Sequence, residues 1–200
     1  KDKRMNLKYP DDFINKVIQG DCLEVMKQMP DKCVDLVLTD PPYVLPAKTS
    51  TNTKAKNKFK FKNIGDFSIT ENYFKGFFLE VSRVLTDKGK VIVFCDENFY
   101  VVLYRSMYGF FDTNLLVWKK NNVGLGRNYR NTFELIVYGK KQESENFKEF
   151  RRDILEFNNP TNKLHPTQKP VDLIKYLIDI EDPKIILDPF LGSGTTAVAA

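Results

Sequence analysis

The sequence predicts an α/β fold with a mostly parallel sheet, on three observations. Short β-rich runs alternate with segments of helical period, as in units that carry a helix between parallel strands. Val34 to Thr39 is apolar at nearly every position, the pattern of a strand buried on both faces. Near the end of the chain, KIILDPFLGSGTTAVAA joins a short apolar strand to a helix start through a glycine turn, the place where such folds receive a ligand.

Each element follows in order. Lys16 to Gln19 reads as a short strand, and Asp21 to Met29 as a helix with Asp21 at its N-cap and Leu23, Met26 and Met29 on one face. After the strand Val34 to Thr39, residues 44–68 have no apolar period and much Lys, Asn and Thr, which predicts a mobile loop. Ser68 to Leu85 is a helix with Phe74, Phe77, Phe78 and Val81 at helical spacing, Asp87-Lys88-Gly89 a turn, and Lys90 to Phe94 a buried strand. Asn98 to Tyr108 is a helix. Thr113 to Trp118 and Thr132 to Tyr138 are strands around the polar loop KKNNVGLGRNYRN, which fits a hairpin with a functional insertion. Residues 140–163 are charged and weakly patterned. Val171 to Ile180 is an amphipathic helix fronted by Pro170, a favoured first-turn residue; Lys184 to Leu187 is the last strand, and Gly194 opens the last helix.

Composition narrows the class. Two hundred residues at 42% hydrophobic and 28% charged describe one globular domain over residues 1–200. No apolar run reaches the roughly 18 residues of a membrane span, and KDKRMNLK lacks the apolar middle of a secretory signal, so the expected location is cytoplasmic, away from membranes. Cys22, Cys33 and Cys95 have no CxxC spacing and His165 is the sole histidine, which argues against a disulfide framework and against a metal. The net charge is +5, and Lys48, Lys54, Lys56, Lys58, Lys60 and Lys62 crowd into fifteen residues, as a polyanion partner would require. The chain starts without Met and stops in a helix pattern without a cap, which suggests a fragment.

Two stretches carry the chemistry. VDLVLTDPPY ends a buried strand in an acid, two prolines and an aromatic ring; alone, it reads more readily as a stiff turn begun by Asp40. In DPFLGSGTT, Gly192 and Gly194 permit close backbone approach. No Lys follows them as in a phosphate-binding P-loop, and Thr195, Thr196 and Ala197 stand where a dinucleotide fingerprint needs its third glycine.

With both stretches on the page, the chain resembles the amino-group (N6-adenine/N4-cytosine) DNA methyltransferases. DPPY precedes DPFLGSGTT, and HPTQKP, His165 to Pro170, lies between them; that permuted order is similar to the family's β group, whose members commonly open with a segment like IQGDCLEVM. FELIVYGKK, Phe133 to Lys141, resembles the family's late sheet hairpin. The resemblance implies a Rossmann-like methyltransferase fold with a late antiparallel hairpin, circularly permuted and apparently truncated at its C-terminus. It implies S-adenosylmethionine as cofactor, double-stranded DNA as substrate, and base flipping. A cognate restriction endonuclease and a homodimer are compatible with it, but it names neither a recognition sequence nor an assembly state.

The chemistry agrees with the resemblance. An exocyclic amine conjugated to a base is a poor nucleophile, because its lone pair is delocalised into the ring. Asp40 and the carbonyl of Pro41 can accept the two amino hydrogens and favour a tetrahedral nitrogen whose lone pair aims at a sulfonium methyl. Pro41 and Pro42 hold these acceptors stiffly, and Tyr43 can stack on the flipped base.

The resemblance places Asp21, with Cys22 beside it, near the cofactor adenine, a role compatible with helix capping. It assigns His165, Thr167 and Lys169 to the methionine end, though His165 alone fits a surface loop equally well. Asp40, Asp188, Pro189, Phe190, Gly192, Ser193, Gly194 and Thr195 complete the expected cofactor set.

The lysine-rich loop is either a solvated segment or, so close to the catalytic motif, a DNA clamp over residues 44–68. Lys119, Lys120, Arg127 and Arg130 offer further contacts, and residues 140–163 are the expected target-recognition segment. One departure stands out: the family normally carries, after the glycine turn and its helix, a strand ending in an acid for the ribose hydroxyls. Its absence predicts a gap in the sheet and weak cofactor binding by the 200-residue chain. Asp40 favours adenine N6 over cytosine N4. Methylation of a protein glutamine or of RNA, and a cofactor-deficient DNA-binding fragment, are the remaining readings.

Overall fold

A computed structural model describes residues 6–42, 67–123, 129–145, 150–161, 165 and 168–200, with the side chains of 67–69 excepted. Tyr43, the six loop lysines, Arg127 and Thr167 lie outside the described residues, as does the expected loop 44–68 apart from its last two positions.

The strand runs and helical runs alternate as their periods predict. The order is α1 (Cys22–Met26), β1 (Val34–Thr39), α2 (Phe67–Val84), β2 (Leu85–Cys95), α3 (Glu97–Met107), β3 (Asp112–Lys119), β4 (Phe133–Lys140), β5 (Ile154–Glu156), α4 (Val171–Glu181), β6 (Ile186–Leu187) and α5 (Thr195–Ala199). The strands form one sheet in the order β5-β3-β4-β2-β1-β6. β1 runs parallel to β2 and β6, and β3 to β5, whereas β4 is antiparallel to both β2 and β3. The sheet is thus mostly parallel, with the expected late hairpin.

Alternation of side chains across the pleat gives two apolar layers. On one face, Val37, Val91 and Val93 pack with Phe74, Phe77, Phe78 and Val81 of α2 and with Phe99 and Leu103 of α3. On the other, Leu36, Leu38, Ile92 and Phe94 pack with Leu173, Ile174 and Leu177 of α4. Both faces of β1 are covered, which is why its sequence is an unbroken apolar run. Arg83 ties α2 to the α1 turn by donating to the carbonyls of Met26 and Met29 at 2.7 and 2.9 Å. Among the described residues, no helix is long and apolar enough to cross a membrane.

Four expectations need correction. Lys16 to Gln19 forms no strand: no described strand lies beside it to complete a ladder, and Val17 is exposed. The turn at Asp87-Lys88-Gly89 is a bulge inside β2, where Val34 pairs with Leu85 and Leu36 with Lys90, so that a step of two along β1 matches a step of five along β2. Gly89 fits there because a Cβ would lie 2.8 Å from Leu85 Cβ and 2.9 Å from the Thr86 carbonyl. Within 140–163, Ile154–Glu156 adds a sixth strand to the edge at β3, fixed by the Trp118 indole N–H donating to the Phe157 carbonyl at 2.9 Å. Pro170 is the N-cap of α4, one position before the first turn.

Candidate active site

Because β1, β2 and β6 run parallel, their exits share one edge of the sheet, and each exit is followed by an acid: Asp40, Asp96 and Asp188. β4 runs the other way and brings its second residue, Glu134, to the same edge.

The first cluster joins β1 to the β6 turn. The Thr39 hydroxyl donates to Asp188 Oδ1 at 2.7 Å, and the Phe190 N–H lies 3.1 Å from that oxygen and 3.2 Å from Thr39 Oγ1. Burial pushes the Asp188 carboxyl above the usual aspartate range; donors on Thr196, Thr39 and the Phe190 backbone oppose the shift, and the charge of Asp40 adds to it. Phe190 anchors the turn against Phe77, with ring centroids 5.6 Å apart. Beyond Pro189 the chain reverses through Gly192 and Gly194, at φ +55° and +80°, a region that residues with a side chain rarely adopt. Gly194 caps α5, and Ser193 Oγ and Thr195 Oγ1 lie 3.1 Å apart.

The second cluster is ionic. Lys169, buried ahead of α4, places Nζ 2.6 Å from Asp40 Oδ2, 3.1 Å from Glu134 Oε2 and 5.2 Å from the centroid of the Phe94 ring. Glu134 also holds Lys120 at 2.6 Å, with that ammonium 5.1 Å from the Trp118 ring centroid. Burial pushes the Glu134 carboxyl up, but the Lys169 and Lys120 ammoniums outweigh it and hold the group below the usual range. Cys95 is the neutral neighbour, its thiol pushed up by burial and by the charges of Asp96, Asp40 and Glu134.

A third group lies at the start of α1. Asp21 accepts from the N–H groups of Leu23 and Glu24 at 2.9 and 3.2 Å, the capping expected of it. Cys22 Sγ is 3.8 Å from the Tyr73 hydroxyl, and burial pushes both groups up, so neither carries charge at neutral pH. His165 is exposed, and its carbonyl accepts from the Gln168 N–H at 3.0 Å.

The structure therefore brings Asp40, Pro41, Lys169, Asp188 and Phe190 to one edge. Lys120, expected to contact DNA, lies in the ionic cluster with its side chain 18% exposed. Lys119 is exposed and pairs with Glu156 at 3.0 Å; Arg130 is exposed. Sequence reasoning passed over Thr39, Asp96 and Glu134. Asp96 had a signal, an N-cap acid directly after an apolar strand, and Glu134 had one too, a lone charge within FELIVY.

A family model described as DNA methylase, that of the N6/N4 methyltransferases, matches residues 34–200. The chain belongs to the N6/N4 DNA methylase family. The match covers the exits of β1, β2 and β6, Glu134 and Lys169, so all of the ionic cluster lies within the family region. Among relatives of this family member, the type II methyltransferase M.HinfI of Haemophilus influenzae is 25% identical over 224 residues, spanning 94% of this chain and 62% of that protein. The chain spans less than two thirds of the length of the curated relatives it matches. Among solved structures, the cytosine-N4-specific PvuII DNA methyltransferase superposes with a TM-score of 0.70 at 19% identity, over 90% of this chain and 76% of that one. The M1.HpyAVI–SAM complex superposes at 0.61 and 22% identity, over 91% and 86%. These likenesses establish the methyltransferase fold.

Proposed function

We propose that this chain performs the methyl transfer of a site-specific DNA methyltransferase, from S-adenosylmethionine to the exocyclic N6 of adenine in double-stranded DNA, on a base turned out of the helix. One observation carries the reading: the Asp40-Pro41 exit of β1 is bonded through Thr39 to the Asp188-to-Gly194 turn, so an amine-gripping acid and a glycine turn form one structural unit. The chemistry of this edge suits such a cofactor, because carboxylates favour a sulfonium cation and the positive-φ turn lets a ligand approach the backbone closely. The name of the M1.HpyAVI complex, which records bound SAM, supports the same cofactor.

When bound, S-adenosylmethionine supplies a methyl group on a positively charged sulfur. The residues do the rest. Asp188, Phe190 and the turn would hold the methionine side, and Asp21 with the uncharged Cys22 and Tyr73 side chains would flank the adenine side. Asp40 and the Pro41 carbonyl accept the amino hydrogens and draw the lone pair out of the ring, and Tyr43 stacks on the base. The lysine-rich segment from Lys48 to Lys62 and the exposed Lys119 and Arg130 meet the phosphates, and residues 140–163 read the target.

Asp40, where resembling cytosine-N4 enzymes more often carry Ser, supports adenine. The experiment is incubation of the intact natural protein with methyl-labelled cofactor and duplex DNA, followed by mass spectrometry of the nucleosides. N6-methyldeoxyadenosine is expected. N4-methyldeoxycytidine would overturn the choice of base, and no methylated nucleoside would overturn the reading.

A further inference from the structure

We infer that Lys169 is a positioning residue that fixes the Asp40 carboxylate, and that Glu134 anchors it there; the inference rests on the methyltransferase reading above. Three elements distant in sequence meet at one ammonium: the exit of β1, the start of β4 and the residue before the N-cap of α4. The Lys169 side chain is 7% exposed and that of Asp40 29%, so the cation lies beneath the carboxylate and a ligand reaches the carboxylate first. Burial of a lone ammonium is costly, and the N-terminus of α4 adds a positive dipole end. Two carboxylates and the Phe94 ring offset both costs, and Lys120 in turn neutralises Glu134. Charge therefore alternates along Asp40, Lys169, Glu134 and Lys120. Pro170 restricts the Lys169 backbone to extended conformations, which holds the base of the side chain in place.

A carboxylate on a short side chain turns readily about its last bond, and an amine must meet it in one plane to have its lone pair aimed. The 2.6 Å contact to Oδ2 selects that plane before substrate arrives. This assigns Lys169 to the amine side of the reaction, where the resemblance would assign it to the cofactor. Glu134, the lone charge within the FELIVY strand, thereby gains a definite role, since without it Lys169 keeps one of these two carboxylates instead of both.

The test uses the intact natural protein and measures cofactor affinity by calorimetry, base extrusion by fluorescence of a 2-aminopurine target, and the single-turnover rate of methyl transfer. Lys169→Met should leave cofactor affinity and base extrusion near wild type and slow transfer on the order of 100-fold, the effect expected from misplacing a reacting group by about an ångström. Lys169→Arg, which keeps a cation that can reach both carboxylates, should recover most of that rate. Glu134→Gln should fall between, again with cofactor affinity unchanged. Loss of cofactor affinity in step with the rate would overturn the inference and return Lys169 to the cofactor, and an unchanged rate would overturn it outright. Should Lys169→Met fail to fold, Glu134→Gln decides: a folded protein with wild-type transfer sinks the inference. Absence of methylation by the wild-type protein would instead defeat the methyltransferase reading itself.

Discussion

Replacing Thr39 with Val tests the bond that joins the two motifs while keeping size and shape. Thr39 is 2% exposed, so the substitution exposes no new surface, and Val fills nearly the same volume. It removes the 2.7 Å donation to Asp188 Oδ1 and the 3.2 Å contact from the Phe190 N–H. That N–H keeps Asp188 Oδ1 at 3.1 Å, so no donor is orphaned, and the loss is that of one hydrogen bond to a buried carboxyl. Such a bond contributes about 1.5–3 kcal/mol. At about 2–4 °C per kcal/mol for a chain of this size, the Tm should fall by about 3–12 °C.

The sign with pH follows from Asp188. Burial already holds its folded-state value above the ordinary one, so its ionisation costs stability as pH rises through that raised value. Removing a donor that favours the ionised form raises the value further, so the deficit of Thr39→Val should be largest at neutral pH and shrink on acidification. Scanning calorimetry across that range, with cofactor titration at neutral pH, is the assay; affinity should fall because the turn loses its tie to β1. Thr39→Ser should restore both. A Thr39→Val protein matching wild type in Tm and affinity, or a Ser variant as damaged as Val, would refute the argument.

Other expectations follow from the same geometry. Arg83→Ala should destabilise the fold by about 2–3 kcal/mol in urea, because its guanidinium donates to the Met26 and Met29 carbonyls, and Arg83→Lys should recover little since a shorter side chain without the planar fork lacks the two separate nitrogens that reach the two carbonyls. A change within about 0.5 kcal/mol would place Arg83 among neutral surface residues. Asp40→Ala should abolish methyl transfer with little change in thermal unfolding, since Lys169 keeps Glu134; near-normal turnover by the folded variant would remove Asp40 from the chemistry. Substituting Ala for Lys54, Lys56, Lys58 and Lys60 should flatten the salt dependence of DNA binding, by about 0.9 in log-log slope for every phosphate no longer neutralised, and leave cofactor affinity unchanged. An unaltered slope would show that these lysines never meet the backbone.

What the sequence made legible was local or periodic. β1 was readable because burial on both faces writes itself as an apolar run, α1 because Asp21 caps its own neighbours, and α4 because Leu173, Ile174 and Leu177 recur at helical spacing. The β6 turn was readable because two glycines must supply positive φ. The ionic cluster was not, since Lys169 lies 129 positions from Asp40 and only the sheet order brings β4 beside β2 so that Glu134 can reach it. β5 escaped because three residues are too few to display a period, and the bulge because Asp87-Lys88-Gly89 has the composition of a turn whether or not the strand continues past it.

That bulge sets the phase of the whole reacting edge. Side chains along a strand alternate with period two, so if β1 slid by one residue against β2, Asp40 would turn toward the opposite helical layer. The step of two residues against five, locked by the missing side chain at Gly89, acts as an index mark that permits one alignment. It lies at the far end of β1, roughly 20 Å from Asp40 at the rise of an extended chain. Damage at positions 85–89 would therefore be felt as a mistimed ruler, with every distance within the site preserved along the strand and the acid delivered to the wrong side of the sheet.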